Sequence, residues 1–254
     1  MLTLISCAKT MASGLVPVVS RATQPVFEHQ AVCAALELSQ CPVETLACML
    51  KVTPKIAADV KLCYQDFCTP EAPSSPALYA YAGTVFRHIA PVDFTDGELE
   101  FAQRGLRITS FLYGLLRPLD VIRRYRLEGG VRLAVHEGKS MFDFWKPFLT
   151  ELLVEETRKQ GGILLNLASA EMKNLFDWSR VERSVRVVTP CFRQWREGKF
   201  RTVTVYAKMC RGEMVRYIVR HRIDHPEALQ SFSWEGFRWD EGHSTPDCMM
   251  FAPA

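Results

Sequence analysis

Residues 163–168, Ile-Leu-Leu-Asn-Leu-Ala, form an almost unbroken apolar run, and residues 140–159 just before it place Met141, Phe144, Trp145, Phe148, Leu149 and Leu152 at helical spacing. A run of this length suits an interior strand, whose two buried faces must both be covered by helices. A chain with such a strand beside such a helix belongs to a layered α/β architecture. The rest of the chain fits that frame. Leu2 and Leu4 mark a short strand ending at Ser6, and Phe27, Ala31, Ala34, Ala35 and Leu38 define a helix over 26–39, with a second helical run after Pro42. Thr95-Asp-Gly-Glu98 is a capping box that starts another helix. Residues 106–116 read as one buried strand closed by Arg117-Pro118, and 69–76 as a Pro/Ser-rich surface connection. Val185–Val188 and Val203–Tyr206 read as strands joined through a Glu197-Gly198 turn, followed by a basic helix from about Lys208 to Arg222. The expected fold is mixed α/β, one domain over 1–254.

With 48% apolar and 23% charged residues in 254, the chain can bury a substantial core without disulfides or metals. No segment approaches the roughly 20 consecutive apolar residues of a membrane-spanning helix. The opening MLTLISC lacks the basic region and longer apolar core of a signal peptide. Nine cysteines, an odd set with no Cys-x-x-Cys pair, read as free thiols. Both features lead us to expect a cytoplasmic protein that starts at or near Met1.

The formal net charge of +3 hides a steep asymmetry. Residues 1–100 carry six Lys/Arg against ten Asp/Glu, residues 101–222 carry 24 against 12, and residues 223–254 carry one against six. If folding gathers the central charges on one face, a polyanion is the natural partner. If it scatters them, they pair with acids from the flanks.

Local patterns give the candidate sites. Leu46 to Val60 has the spacing of a helix-hairpin-helix at about 43–62, with Lys51-Val52-Thr53 where that motif usually has Gly-hydrophobe-Gly. Thr53 would cap the second helix, Pro54 suits its first turn, and Lys51 and Lys55 add charge for a phosphate at the helix N-terminus. An ordinary helix-turn-helix packing unit fits the same spacing. Arg123, Arg124 and Arg126 beside Tyr125 suit phosphate contact and stacking, or a solvated loop. Asn166 and Ser169 stand where strand-end groups line ligand crevices, although Ser169 could equally cap the next helix. Tyr206, Lys208 and Arg211 mark a junction whose lysine could meet phosphate or act as a nucleophile. There is no Walker A, Gly-x-Gly-x-x-Gly, His-Glu-x-x-His or Gly-x-Ser-x-Gly sequence, and the histidines have no metal-ligand spacing. We therefore expect neither cofactor nor metal.

Several motifs in one order resemble the bacterial YaaA peroxide-stress-resistance family. They are the opening MLTLISCAKT, Gly83-Thr-Val-Phe86, Leu112-Tyr113-Gly114-Leu-Leu-Arg117-Pro118-Leu119-Asp120, Tyr125-Arg126-Leu127-Glu128, Asn166-Leu-Ala-Ser169 and Tyr206-Ala-Lys208 leading to Arg211-Gly212. Cys7 departs from the family's usual proline, and Ala170 and Met172 from its usual Asp and aromatic residue. The resemblance implies a cytosolic protein that binds duplex or distorted DNA through a basic cleft and a helix-hairpin-helix, and that limits free iron during peroxide stress.

Two functions follow. In the first, a monomer without turnover grips DNA through Lys51, Thr53, Lys55, Arg123, Arg124, Arg126, Lys208 and Arg211. In the second, an enzyme acts on a nucleobase or nucleotide-like substrate, with Lys9 or Lys208 as the catalytic group and Ser6, Thr10, Tyr125, Asn166, Ser169, Tyr206 and Arg211 around it. Open, solvated lysines favour the first; a desolvated lysine favours the second. Lys9 could also favour the Cys7 thiolate and make that residue oxidisable.

Overall fold

The computed structural model describes residues 1–12 and 21–253. In chain order the strands are β1 (Leu2–Ile5), β2 (Ser74–Pro76), β3 (Leu106–Ser110), β4 (Gly114–Leu116), β5 (Val121–Arg123), β6 (Ile163–Asn166), β7 (Arg186–Phe192), β8 (Gln194–Arg196), β9 (Lys199–Arg201), β10 (Ser233–Trp234), β11 (Phe237–Trp239) and β12 (Cys248–Pro253). The α-helices are α1 (Glu28–Gln40), α2 (Val43–Leu50), α3 (Pro54–Asp66), α4 (Ala77–Ala80), α5 (Thr84–Ile89), α6 (Asp96–Gly105), α7 (Met141–Lys159), α8 (Trp178–Ser184) and α9 (Thr204–His221).

The main sheet has the order β10-β11-β12-β7-β6-β1-β3-β4. Strands β3, β1, β6, β7 and β12 run parallel, and β4, β11 and β10 add antiparallel edges. All residues of β1 and β3 are buried, as strands covered on both faces must be. The chain leaves β1 toward β3 on one side and later returns to β6 on the other. That makes β1 the point where the strand order reverses, and the carboxyl ends of β1, β3 and β6 open a crevice there.

Helix α7 anchors this crevice from below: Trp145, fully buried, donates its indole N–H to the Phe111 carbonyl at 2.8 Å, just beyond β3. Helix α9 closes on α5 through Gly212. A Cβ there would stand 2.3 Å from the Val85 carbonyl oxygen and 2.6 Å from the His88 Cβ, so only glycine permits this approach. The small sheet of β2 and β5 carries the Arg-rich segment, and Tyr64 of α3 donates its hydroxyl to the Arg126 carbonyl at 2.7 Å.

The mixed α/β class, the capping box at Thr95 and the Glu197-Gly198 turn agree with the sequence. Two elements differ. Residues 106–116 form a hairpin, β3 and β4, because the chain reverses at Leu112-Tyr113 and Gly114 takes a positive φ of 73°. Val203–Tyr206 is no strand: α9 begins at Thr204, because Ala207, Cys210, Met214 and Ile218 continue a buried helical stripe that outweighs local β preference. The surface connection at 69–76 ends in β2, which pairs with β5.

Candidate functional site

A cavity of about 440 Å³ occupies the crevice at the end of β1. Six separate segments meet there: Ser6 to Thr10, Ala82 to Arg87, Phe111, Tyr125 to Leu127, Leu167 to Met172, and Lys208 with Arg211. The β1 and β6 ends are tied directly, since the Ser169 amide donates to Ser6 Oγ at 2.9 Å and the two hydroxyls lie 3.3 Å apart. Behind them Tyr125, Tyr81 and Ser110 form a hydroxyl chain, with contacts of 2.8 and 2.7 Å. Burial holds both tyrosines well above their ordinary values.

The charged groups form a cluster. Lys9 Nζ lies 2.7 Å from Glu128 Oε2, and an Arg126 guanidinium nitrogen lies 3.5 Å from Glu128 Oε1. In extended backbone, residues two apart share a face. Tyr125 and Leu127 are buried on the cavity wall with Arg126 between them, while Glu128 stands beside the cavity and meets Lys9 and Arg126. Arg211 is half-buried, and desolvation lowers it from its ordinary value. The buried Arg126 Nε, Arg211 Nε and Glu128 Oε1 have no hydrogen-bond partner. Arg126 and Arg211 line the cavity, so their Nε atoms are polar groups that a ligand there would satisfy.

Among the sequence candidates, Ser6, Lys9, Thr10, Tyr125, Arg126, Ser169, Lys208 and Arg211 all line this cavity. Lys9 and Lys208 are both exposed to solvent. Asn166 is fully buried instead, and its side-chain oxygen accepts from the Ala168 amide at 3.2 Å, a turn-forming role. Tyr206 lies in the first turn of α9 and packs near Phe237, ring centres 6.2 Å apart. The expectation that Lys9 favours the Cys7 thiolate is overturned: Lys9 is engaged by Glu128, and burial together with Glu171 pushes the Cys7 thiol up to about 12. The motif residue Arg117 is structural as well, its backbone and guanidinium N–H groups binding the fully buried Asp120 carboxylate at 2.8 to 3.0 Å.

Lys51, Thr53 and Lys55 form a second exposed group at the turn between α2 and α3. Lys51 caps α2 in the left-handed region at φ 53°, the place glycine takes in the usual hairpin. Thr53 Oγ1 accepts from the Ile56 amide at 3.4 Å and caps α3. Arg124 is exposed beside Asp59, Cys63 and Asp66 of α3, whereas Arg123 lies over the Phe67 ring at 5.8 Å and donates to the Thr69 carbonyl. Elsewhere the central charges scatter: Arg186 pairs with Glu227 and Asp247, and Arg216 with Asp93.

Sequence reasoning gave Glu128 no role, nor Glu171, Thr84 and Arg87 on the cavity wall. The alternation of buried and polar residues over 125–128 was the available signal for Glu128. The separation of 119 positions between Lys9 and Glu128 left their pairing to the fold.

The fold defines a mixed α/β protein, parallel at the centre of its sheet, with a polar, charge-lined crevice at the switch point. The chain belongs to the peroxide stress protein YaaA family, whose description matches residues 1–243. It is 50% identical over 252 residues to a UPF0246 protein of Phocaeicola vulgatus, covering 99% of both chains. A UPF0246 protein of Bacteroides fragilis is 51% identical over 241 residues, 95% of this chain and 94% of that one, and one of Burkholderia mallei is 34% identical over 256, covering 99% and 98%.

Proposed function

We propose that this peroxide stress protein binds duplex and distorted DNA through its sugar-phosphate backbone, as a cytoplasmic monomer, and thereby serves a response that limits free iron under hydrogen peroxide. The carrying observation is the α2–α3 turn, where exposed Lys51 and Lys55 flank the Thr53-capped N-terminus of a 13-residue helix. Unpaired amides and the helix dipole there favour a phosphate, and two ammonium groups add to it. Arg124 adds one exposed guanidinium beside α3, next to Asp59 and Asp66. Arg126, Lys208 and Arg211 line the cavity for a second contact. The solvent exposure of Lys9 and Lys208 suits charge contact better than a desolvated nucleophile.

The test is fluorescence anisotropy with plain, bulged and single-stranded DNA across a salt series. Wild type should bind duplex with a steep salt slope. Lys51→Ala/Lys55→Ala should weaken every duplex at least tenfold and reduce the slope by about two, one per lost phosphate contact. In cells, the same variant should leave more iron detectable by electron paramagnetic resonance after peroxide. Unchanged affinity and slope would overturn this reading.

A second reading rests on the two guanidinium Nε atoms on the cavity wall, of Arg126 and Arg211, that have no hydrogen-bond partner. They favour a small, polar, nucleobase- or nucleotide-like substrate held by Arg126, Glu128 and Arg211, with Lys9 or Lys208 as acid or base.

A further inference from the structure

Away from the cavity, the sheet brings two thiols together. Cys191 of β7 and Cys248, the first residue of β12, lie on neighbouring parallel strands with their sulfurs 3.2 Å apart. Cys248 stands opposite Thr189 and Cys191 opposite Met250, so the two cysteines are offset by two positions along the ladder. An offset of two keeps both side chains on one face of the sheet, where they meet diagonally. Each is half-buried, which leaves a path for a small oxidant. Among the described residues no other cysteine has a second thiol in hydrogen-bonding range.

Disulfide sulfurs are bonded at about 2.0 Å, so an approach of about 1 Å closes the pair. Burial and the hydrogen bond with Cys248 push the Cys191 thiol up to about 11, so that sulfur rests protonated.

We propose that Cys191 and Cys248 are a peroxide-oxidisable dithiol that closes to an intramolecular disulfide. One sulfur, as thiolate, attacks a peroxide oxygen; the O–O bond breaks, a sulfenic acid forms, and protonation releases water. The other sulfur attacks the sulfenic sulfur, forms the S–S bond and expels a second water. Two thiols lose two hydrogens and two electrons, and hydrogen peroxide is reduced to two waters.

The placement gives this bond structural reach. Strand β12 joins the antiparallel β10 and β11 to the parallel core through β7. The chain between Cys191 and Cys248 includes α9, which carries Lys208 and Arg211 to the cavity. Closing that loop restricts the unfolded chain and ties down the segment that holds the cavity rim.

The experiment treats the full-length protein with hydrogen peroxide, then counts free thiols in denaturant and maps peptides without reduction. The oxidised protein should show seven thiols where the reduced form has nine, with one crosslinked peptide pair containing Cys191 and Cys248. Its melting temperature should rise by about 5–10 °C, reversed by dithiothreitol. Cys191→Ser and Cys248→Ser, each checked for native circular dichroism, should keep eight thiols intact and show no shift. Oxidation of Cys191 or Cys248 singly to sulfinic acid, or a crosslink through other cysteines, would overturn the proposal.

Discussion

At the scale of single residues, Cys7 shows how position decides chemistry. It stands two residues beyond the end of β1, on the cavity wall, yet its thiol is driven up to about 12 from an ordinary 9.0 by burial first and by Glu171 second. Cys210, fully buried in α9, is pushed to about 12 by burial as well. A thiol whose folded value exceeds its unfolded value stabilises the fold fully below the unfolded value. That contribution is lost as pH rises through the window from 9 to 12, because the unfolded chain releases the proton first. We expect urea midpoints to fall steadily between pH 8.5 and 10, before most tyrosines ionise. Cys7→Ala should flatten the slope by about 0.8 kcal/mol per pH unit averaged over that interval. An unchanged slope would mean that Cys7 ionises as readily folded as unfolded. At neutral pH the same residue should resist alkylation by iodoacetamide, unlike exposed Cys48 and Cys68.

Among the elements, α9 holds the most consequential contact. Gly212 occupies the point where α9 meets the backbone of α5. Gly212→Ala would force the helices apart, and neither the Val85 carbonyl nor the His88 Cβ can turn aside as a flexible side-chain tip could. We expect a loss of about 1–3 kcal/mol in urea unfolding. The hydrogen-bond contact of His88 Nδ1 with Glu213 Oε1 at 2.9 Å crosses the same interface and would be stretched too. A neutral substitution would show that α5 and α9 can slide without cost. The sequence marked this glycine only as part of a motif, because a close approach between segments over 120 residues apart leaves no local periodicity. Helices α1, α6 and α7 were legible from spacing and caps alone. The β3–β4 hairpin was not, since strands buried on both faces lack the alternation that would show where the chain reverses. The start of α9 was misread for the opposite reason: Thr-Val-Thr-Val alternates locally, while the helical stripe that decides the matter begins only at Ala207.

The whole molecule assembles its cavity from six chain segments, so the site exists only when the fold is complete. Eight of its lining residues could be named from the sequence, but the pairing of Lys9 with Glu128 and the unpaired Nε atoms of Arg126 and Arg211 belong to the tertiary structure. A ligand that satisfies those atoms binds the folded state alone and must stabilise it by mass action, about 2.7 kcal/mol at a hundredfold excess over Kd. For a chain of this length that is a rise in melting temperature of about 5–10 °C. Thermal-shift measurements with nucleobases, nucleosides and nucleoside monophosphates should therefore find a class that raises the melting temperature. Glu128→Gln should abolish the rise at little cost to the fold, because its partner Lys9 is 58% exposed. The same variant should leave duplex DNA binding at the α2–α3 turn intact, while Lys51→Ala/Lys55→Ala should weaken DNA and spare the thermal shift. A flat response to every nucleotide-like compound, with DNA binding present, would assign the cavity to backbone contact alone. Loss of both activities in either variant would mean that turn and cavity act as one continuous DNA site.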